Sequence, residues 1–162
     1  MNVIKLSKNG KNKGKFVALV DDDDFEYLNQ FNWTVDQRSY GNYAYRRIDK
    51  GTISIMHREI MQVTNDFIID HKDHNGLNNQ KLNLRICTNS DNTKNRSKSI
   101  GKSSKYKGVS LYKKTNKWIC QIRNNQKLIF LGYYETEIAA AKVYDNAAKI
   151  YHGEFANPNF KK

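Results

Sequence analysis

Cysteine is scarce in this chain. Two occur among 162 residues, Cys87 and Cys120, far apart and never as a Cys-x-x-Cys pair. A structural zinc site of the usual kind draws on such pairs, so zinc is not expected. Two lone thiols suit a reducing compartment. Long apolar runs are also missing. No stretch approaches the ~20 residues that cross a bilayer, and the opening MNVIKLSKNG lacks the apolar centre of a secretory leader. The expectation is a soluble, cytoplasmic protein. Hydrophobic residues make up 38%, below the usual globular share, so small modules fit better than one large core. Acidic residues number 16 against 28 Lys plus Arg, leaving +12 with histidine neutral. That excess favours a polyanionic partner, nucleic acid being the commonest. A basic soluble protein without such a partner is the bland alternative.

The charge is uneven. Residues 1–69 carry a net +1, residues 70–100 a net +3 and residues 101–162 a net +8. Attraction to a polyanion therefore rises toward the C-terminus. Residues 1–56 read as β-rich, with strands at 2–5 and 15–20 around a polar turn at 8–13 and a hairpin of 43–49 with 52–56 turning at Lys50 and Gly51. The run Asp21 to Asp24 precedes Phe25, Tyr27 and Leu28, and predicts a short helix over about 23–30 opened by aspartates at its positive end. Cation binding by the four aspartates is the weaker alternative, because consecutive side chains point in different directions. A short helix over 57–63 follows, then an apolar strand over 67–71, an Asn-dense loop over 74–84, a second strand over 85–87 and a polar helix over 89–96.

Residues 97–104 hold Ser, Lys and Gly with one apolar residue, and read as a linker between two domains, 1–96 and 105–162. Beyond it the pattern alternates with period two. Trp118, Cys120 and Ile122 share one strand face, and Lys117, Ile119, Gln121 and Arg123 the other. Residues 136–151 switch to a helical period with Ala140, Tyr144, Ala147, Ala148 and Tyr151 on one side, and Gly153 stops the helix. The fold class is α+β, with a β-rich N-terminal part and a C-terminal three-stranded antiparallel sheet packed on one helix. No internal repeat is found.

The stretch IDHKDHNGLNNQKLNLRICTNSDNTKNRS carries the chemistry. Phosphodiester hydrolysis needs a base to activate water, a cation to neutralise charge on the phosphate and leaving oxygen, and groups that fix the geometry. Asp70 is a hard oxygen donor suited to Mg²⁺. His71 titrates near neutral pH and can take a proton from water. Asn92 offers a second oxygen from a later helix, and Asn83 can hold a backbone or imidazole group by hydrogen bonding. His74 reads as loop structure or a phosphate contact, with metal binding the weaker alternative; His57 reads as packing or a DNA contact, and His152 as a helix-end residue.

Asp70-His71, Asn83-Leu84-Arg85, Asn92 and Asn95, with 13 residues from Asp70 to Asn83 and 9 more to Asn92, resemble the HNH nucleases, and among them the small phage and intron-encoded homing endonucleases. The stretches ALVDDDDFEYLNQFNW, YAYRR and MHREIM look like the β-rich part that precedes the motif in such proteins, so the resemblance covers roughly residues 15–96. It implies a ββα-metal fold, a β-hairpin and a helix around one Mg²⁺ or Mn²⁺. Asp70 and Asn92 would bind the metal, His71 would be the general base and Asn83 would orient His71. It also implies 5′-phosphate and 3′-hydroxyl products, a nick per binding event and a bacterial or phage-infected cell as the setting. Double-strand cutting would need two chains or two events, so the oligomer is expected to be a monomer or a dimer assembled on DNA.

Residues 105–160 resemble the Apetala-two/ERF DNA-binding domain, through Tyr106, Gly108-Val109, Lys117-Trp118, Ile122-Arg123, Leu131-Gly132-Tyr133-Tyr134, Ala140-Ala141, Tyr144-Asp145, Ala147-Ala148 and Asn159-Phe160. The resemblance implies a sheet that lies in the major groove of double-stranded DNA with the helix behind it. Lys107, Ser110, Tyr112, Lys117, Gln121 and Arg123 would face the groove, Arg suiting guanine and Gln adenine. Ser110, Tyr112 and Leu128 stand where that family usually has arginine, so its target sequence does not carry over. Tyr112 and Phe130 each have two readings, a shield for the sheet or a DNA contact, which for Phe130 would be with a sugar or a thymine methyl. Two rivals to a nuclease remain: a regulator that binds DNA without cutting it, and an RNA-binding protein, which the sheet-plus-helix module disfavours.

Overall fold

The computed structural model describes residues 1–7, 11–39, 41–64, 66–95 and 103–160. Residues 8–10 of the expected polar turn and residues 96–102, which hold most of the expected linker, lie outside the described residues. The chain divides into two compact units, Met1–Thr88 and Asn89–Lys162. Each has its own apolar cluster.

The first unit opens with an antiparallel ribbon of β1 (Asn2–Lys5) and β2 (Val17–Val20), which buries Ile4, Ala18 and Val20 on one side. Helix α1 (Asp22–Asn29) follows and buries Leu28, whose carbonyl accepts the indole N–H of Trp33 at 2.8 Å. Burial of a Leu or Ile of this kind stabilises by ~1.5–3 kcal/mol. The aspartate run does open the helix, with Asp22, Asp23 and Asp24 in its first turn. Asp21, at the N-cap, makes no capping bond. Its carboxylate instead accepts the backbone N–H of Lys81 at 2.8 Å and the Gln80 amide at 3.2 Å. Asp24 pairs with the Lys81 ammonium at 2.8 Å.

Strands β3 (Thr34–Arg38), β4 (Gly41–Arg47) and β5 (Ile53–Ile55) form an antiparallel sheet in that order. Val35 lies opposite Ala44, and both are buried. Strand β3 was not anticipated, because TVDQR offers a single apolar residue to signal a period. Helix α2 (Met56–Met61) continues directly from β5 and stops at Gln62 in the left-handed region, φ 50°. Arg46 of β4 ties α2 down by an ion pair with Glu59 at 2.7 Å, and its guanidinium stacks 3.8 Å from the Phe31 ring. Last comes the hairpin of β6 (Ile68–His71) and β7 (Leu84–Cys87), in which Asp70 is the direct partner of Arg85 and His71 of Leu84.

The second unit begins with α3 (Asn89–Asn95). The units thus part between Thr88 and Asn89, ahead of the segment read as a linker. The C-terminal carbonyls of α3 supply a physical reason: Lys94 C=O accepts from the Lys107 ammonium and Asn95 C=O from the Asn157 amide at 3.0 Å. Strands β8 (Val109–Tyr112), β9 (Lys117–Asn124) and β10 (Lys127–Tyr134) form an antiparallel sheet with β9 in the middle. Helix α4 (Glu137–His152) packs on it through Ala140, Ala141, Tyr144, Ala147 and Ala148. Thr136 caps the helix by accepting Ala139 N–H at 3.2 Å. Gly108 has φ +75° and faces the Tyr144 ring so closely that a Cβ there would meet Cδ2 at 1.9 Å. The expected sheet on one helix is present, and the whole is a mixture of helices and antiparallel strands compatible with α+β.

Candidate active site and nucleic-acid interface

Burial sets the character of the first candidate site. Asp70, His71, Asn79 and Arg85 are all buried in the first unit. The cross-strand register of β6 and β7 places the Arg85 guanidinium on Asp70, with Nη2 and Nε donating to Oδ2 at 2.6 and 2.9 Å. An enclosed pair of this kind needs both members, since either alone is an uncompensated charge out of water.

His71 follows on the same strand. Its Nε2 lies 3.3 Å from Asn79 Oδ1. The family resemblance assigned that orienting role to Asn83, four residues further along an Asn-rich loop. The Asn83 side chain is engaged elsewhere: Oδ1 accepts Asp73 N–H at 3.1 Å, and Nδ2 donates to Asp73 Oδ1 at 3.0 Å and to Asn78 C=O at 2.8 Å. Asp73 also accepts the Asn75 N–H and the Asn78 amide, both at 2.8 Å. Burial alone would raise the Asp73 carboxyl, but these donors outweigh it and hold it below its ordinary value. Asn83 thus braces the loop that carries Asn79. The loop is also stitched to β2, since Asn79 N–H donates to Leu19 C=O and Leu19 N–H to Leu77 C=O, both at 2.8 Å. Gly76 lets it lie against β4, where a Cβ would meet Asn42 C=O at 2.4 Å and the Tyr43 ring at 2.7 Å.

Two further rings enclose His71. The His57 ring is 5.1 Å away, edge to face, and Tyr43 stands 5.9 Å from both histidines. Packing, one of the two readings given to His57, describes this contact. Burial pushes the His71 imidazole below its ordinary value, against smaller opposing effects of Asn79, Asp73 and Asp70. Burial, then His71 and Arg58, push His57 down to about 3. Both rings are therefore neutral at neutral pH, and a neutral imidazole is the form that accepts a proton. Tyr43, His57 and Asn79 were beyond the sequence reading, because nothing in their spacing separates them from neighbouring aromatic, His and Asn residues.

A divalent metal, where implied, would need oxygen donors. Among the described residues no group of three or more His, Cys, Asp or Glu is arranged to hold one. Asp70 brings a carboxylate and Asn92 an amide oxygen, Asn92 lying half-buried on α3 in the second unit. A hard carboxylate oxygen of the kind Asp70 brings suits Mg²⁺, which keeps waters and phosphate oxygens for its remaining positions.

The second candidate site is the sheet face turned away from α4. Val109, Cys120 and Ile122 are buried toward the helix. Burial, then Asp145, pushes the Cys120 thiol up to about 11, so it is an inert core residue. Ser110, Tyr112, Lys117, Gln121 and Arg123 lie on the opposite face, as their alternation with Val109, Cys120 and Ile122 requires. Lys107 departs from the expected set. It precedes β8, its ammonium is used on α3, and burial lowers it to about 8. His152 at the end of α4 bonds Arg123 C=O at 2.9 Å, a structural role.

Among known proteins, an uncharacterized HNH endonuclease of Acanthamoeba polyphaga mimivirus is 31% identical over 164 residues, covering 98% of this chain and 82% of that protein. The chain belongs to the HNH endonuclease family. No family model matches it. Part of the chain also has relatives of another kind. An AP2-like ethylene-responsive transcription factor of Arabidopsis thaliana is 42% identical over 59 residues, 36% of this chain and 12% of that protein. An ethylene-responsive transcription factor of Medicago truncatula is 28% identical over 86 residues, 52% of this chain and 32% of that protein. This HNH endonuclease therefore joins stretches similar to two kinds of protein. Among its described residues no helix is long and apolar enough to cross a membrane.

Proposed function

We propose that the chain is a DNA endonuclease of the homing type, in which the first unit hydrolyses a phosphodiester and the second holds the duplex. The observation that carries this is the buried His71, its ring aimed by Asn79 and next along the strand to Asp70. His71 takes a proton from water as the water oxygen attacks phosphorus in line; the bond to the 3′ oxygen breaks, leaving 5′-phosphate and 3′-hydroxyl ends. Asp70 would hold one Mg²⁺ or Mn²⁺, which when bound neutralises charge on the phosphate and the departing oxygen. Asn79 fixes the ring, Asn83 stiffens the loop behind it, and His57 and Tyr43 keep bulk water from the ring's faces. One such site per chain gives a nick. On the second unit, Ser110, Tyr112, Lys117, Gln121 and Arg123 face the major groove of double-stranded DNA.

A second reading is a regulator that binds DNA without cutting. The Arg85 guanidinium already seated on Asp70 favours it. Supercoiled plasmid carrying a candidate site separates the two. Cleavage to open circle with Mg²⁺, absent with EDTA and reduced by about 10²–10⁴ in His71→Ala, is expected. Tight binding of the same site with no cleavage in any divalent metal would favour the regulator.

A further inference from the structure

We propose that the open face of β8–β10 reads thymine methyl groups, so that this protein selects T·A pairs by apolar contact rather than guanine by arginine. The proposal rests on the reading of the second unit as the duplex-binding module. It starts from what that face exposes. Leu128, Phe130 and Tyr133 are 57%, 52% and 50% exposed, although the opposite side of the sheet already supplies a full core against α4. Phe130 lies 5.1 Å from Tyr133, and Tyr133 lies 5.5 Å from Tyr112, so three rings run across the sheet in mutual contact. A contiguous apolar stripe left in water marks a site of contact.

Charge says what the contact is. The stripe is bracketed by cations. At one end of the ladder stand Lys113, Lys114 and Lys117, at the other Arg123 and Lys127. Lys117 and Arg123 are six residues apart on one strand, about 20 Å. That matches a major groove ~12 Å wide together with the phosphates on its two rims. Cations on the rims and an apolar centre suit a duplex, with phosphate contacts at the edges and base edges between them. A second copy of this chain would bring like charges onto those cations.

The centre then decides which base is read. Guanine recognition rests on a bidentate Arg or Lys, and among the described residues the only arginine on this face, Arg123, stands at the edge opposite Leu128. The central register pair is Gln121 with Phe130. A Gln amide can bond adenine N6 and N7, and a phenyl ring can cover the thymine C5-methyl. The pair therefore addresses the two halves of one A·T pair, or of neighbouring ones. Tyr133 and Ile119, register partners one row on, extend the same apolar chemistry.

The test uses the full chain in EDTA, so that nothing is cut. Binding sites are selected from a random duplex pool, and each selected duplex is remade with deoxyuridine for thymine, which removes only the methyl groups. T·A pairs at the centre of the selected sites and about a fourfold loss of affinity per methyl removed are expected. Phe130→Ser and Tyr133→Ser should bind thymine and uracil duplexes alike while keeping salt-dependent duplex binding. Equal affinity of the natural chain for the two duplexes, or selection of G·C centres, overturns the proposal and leaves the duplex-binding reading intact. Failure to bind any duplex overturns both. Self-association without DNA, abolished by Phe130→Ser, would give the stripe to a second copy and also overturn it.

Discussion

Each unit sets a three-stranded antiparallel sheet against a helix, but the two use their polar and aromatic residues differently. In the first, His57, Asp70, His71, Asn79 and Arg85 are drawn inside and locked to one another. The second also buries polar groups, Asn95, Asp145, His152 and Asn157 among them, but around a helix packed on alanines, and it leaves Phe130, Tyr133 and Arg123 on its surface. Chemistry needs groups fixed and partly shielded from water before substrate arrives. Recognition needs side chains within reach of a partner. The enclosed Asp70–Arg85 pair makes the first unit vulnerable to loss of a single polar partner, and the close approach of Gly108 to Tyr144 makes the second vulnerable at its packing.

The largest effect should come from Arg85→Leu, which strands Asp70 as a buried charge and should cost about 3–5 kcal/mol. Urea unfolding checks it, and pairing it with Asp70→Leu should restore most of the loss. No rescue would mean that Arg85 matters by packing alone. Next, Gly108→Ala drives a Cβ into Tyr144 at a positive φ and should destabilise the second unit by about 2–5 kcal/mol. Each unit holds one of the two tryptophans, Trp33 and Trp118. Single-tryptophan variants therefore report the units separately, and the Trp33 transition should stay in place. If both transitions shift together, the contrast between independent units fails.

A pH dependence centred on His57 of the first unit comes third. The His57 pKa falls from 6.5 unfolded to about 3 folded, so the unfolded chain binds the proton that the folded one refuses. The stabilisation is complete above pH 6.5 and is lost as pH falls toward 3. One such group gives about 2 kcal/mol between pH 6.5 and 5. Denaturant midpoints of the first unit should fall accordingly, and His57→Phe should flatten the dependence. The smallest effect is expected at Lys117→Ala. Its pair with Glu135 is exposed, 44% and 76%, and should contribute less than about 1 kcal/mol. Binding to DNA, where that lysine would meet phosphate, should change more than stability does.

Local pattern made the second unit legible. Period-two alternation around Trp118 and a helical alanine face at 140–148 define its elements and its two faces from sequence alone. The nuclease-like half yielded less. Asp70 and His71 were legible from their adjacency at the end of an apolar strand, but which amide serves His71 was not. Asn75, Asn78, Asn79 and Asn83 crowd one loop, and the choice among them depends on how Leu19 grips the loop backbone. The Asp21 clamp on Lys81 and the contact of His57 with His71 were hidden for the same reason. They join segments that are distant along the chain, and no periodicity records such contacts. Strand β3, with one apolar residue, gave too little alternation to see.

The clamp also bears on the order in which the molecule comes together. The aim of His71 depends on Asn79, held by Leu19, and on Lys81, held by Asp21 across 60 positions of chain. Closing so long a loop is among the later and costlier steps of folding. A growing or partly unfolded chain therefore carries the histidine without its alignment. The alignment of His71 is a property of the finished first unit and arises only once its two ends have met.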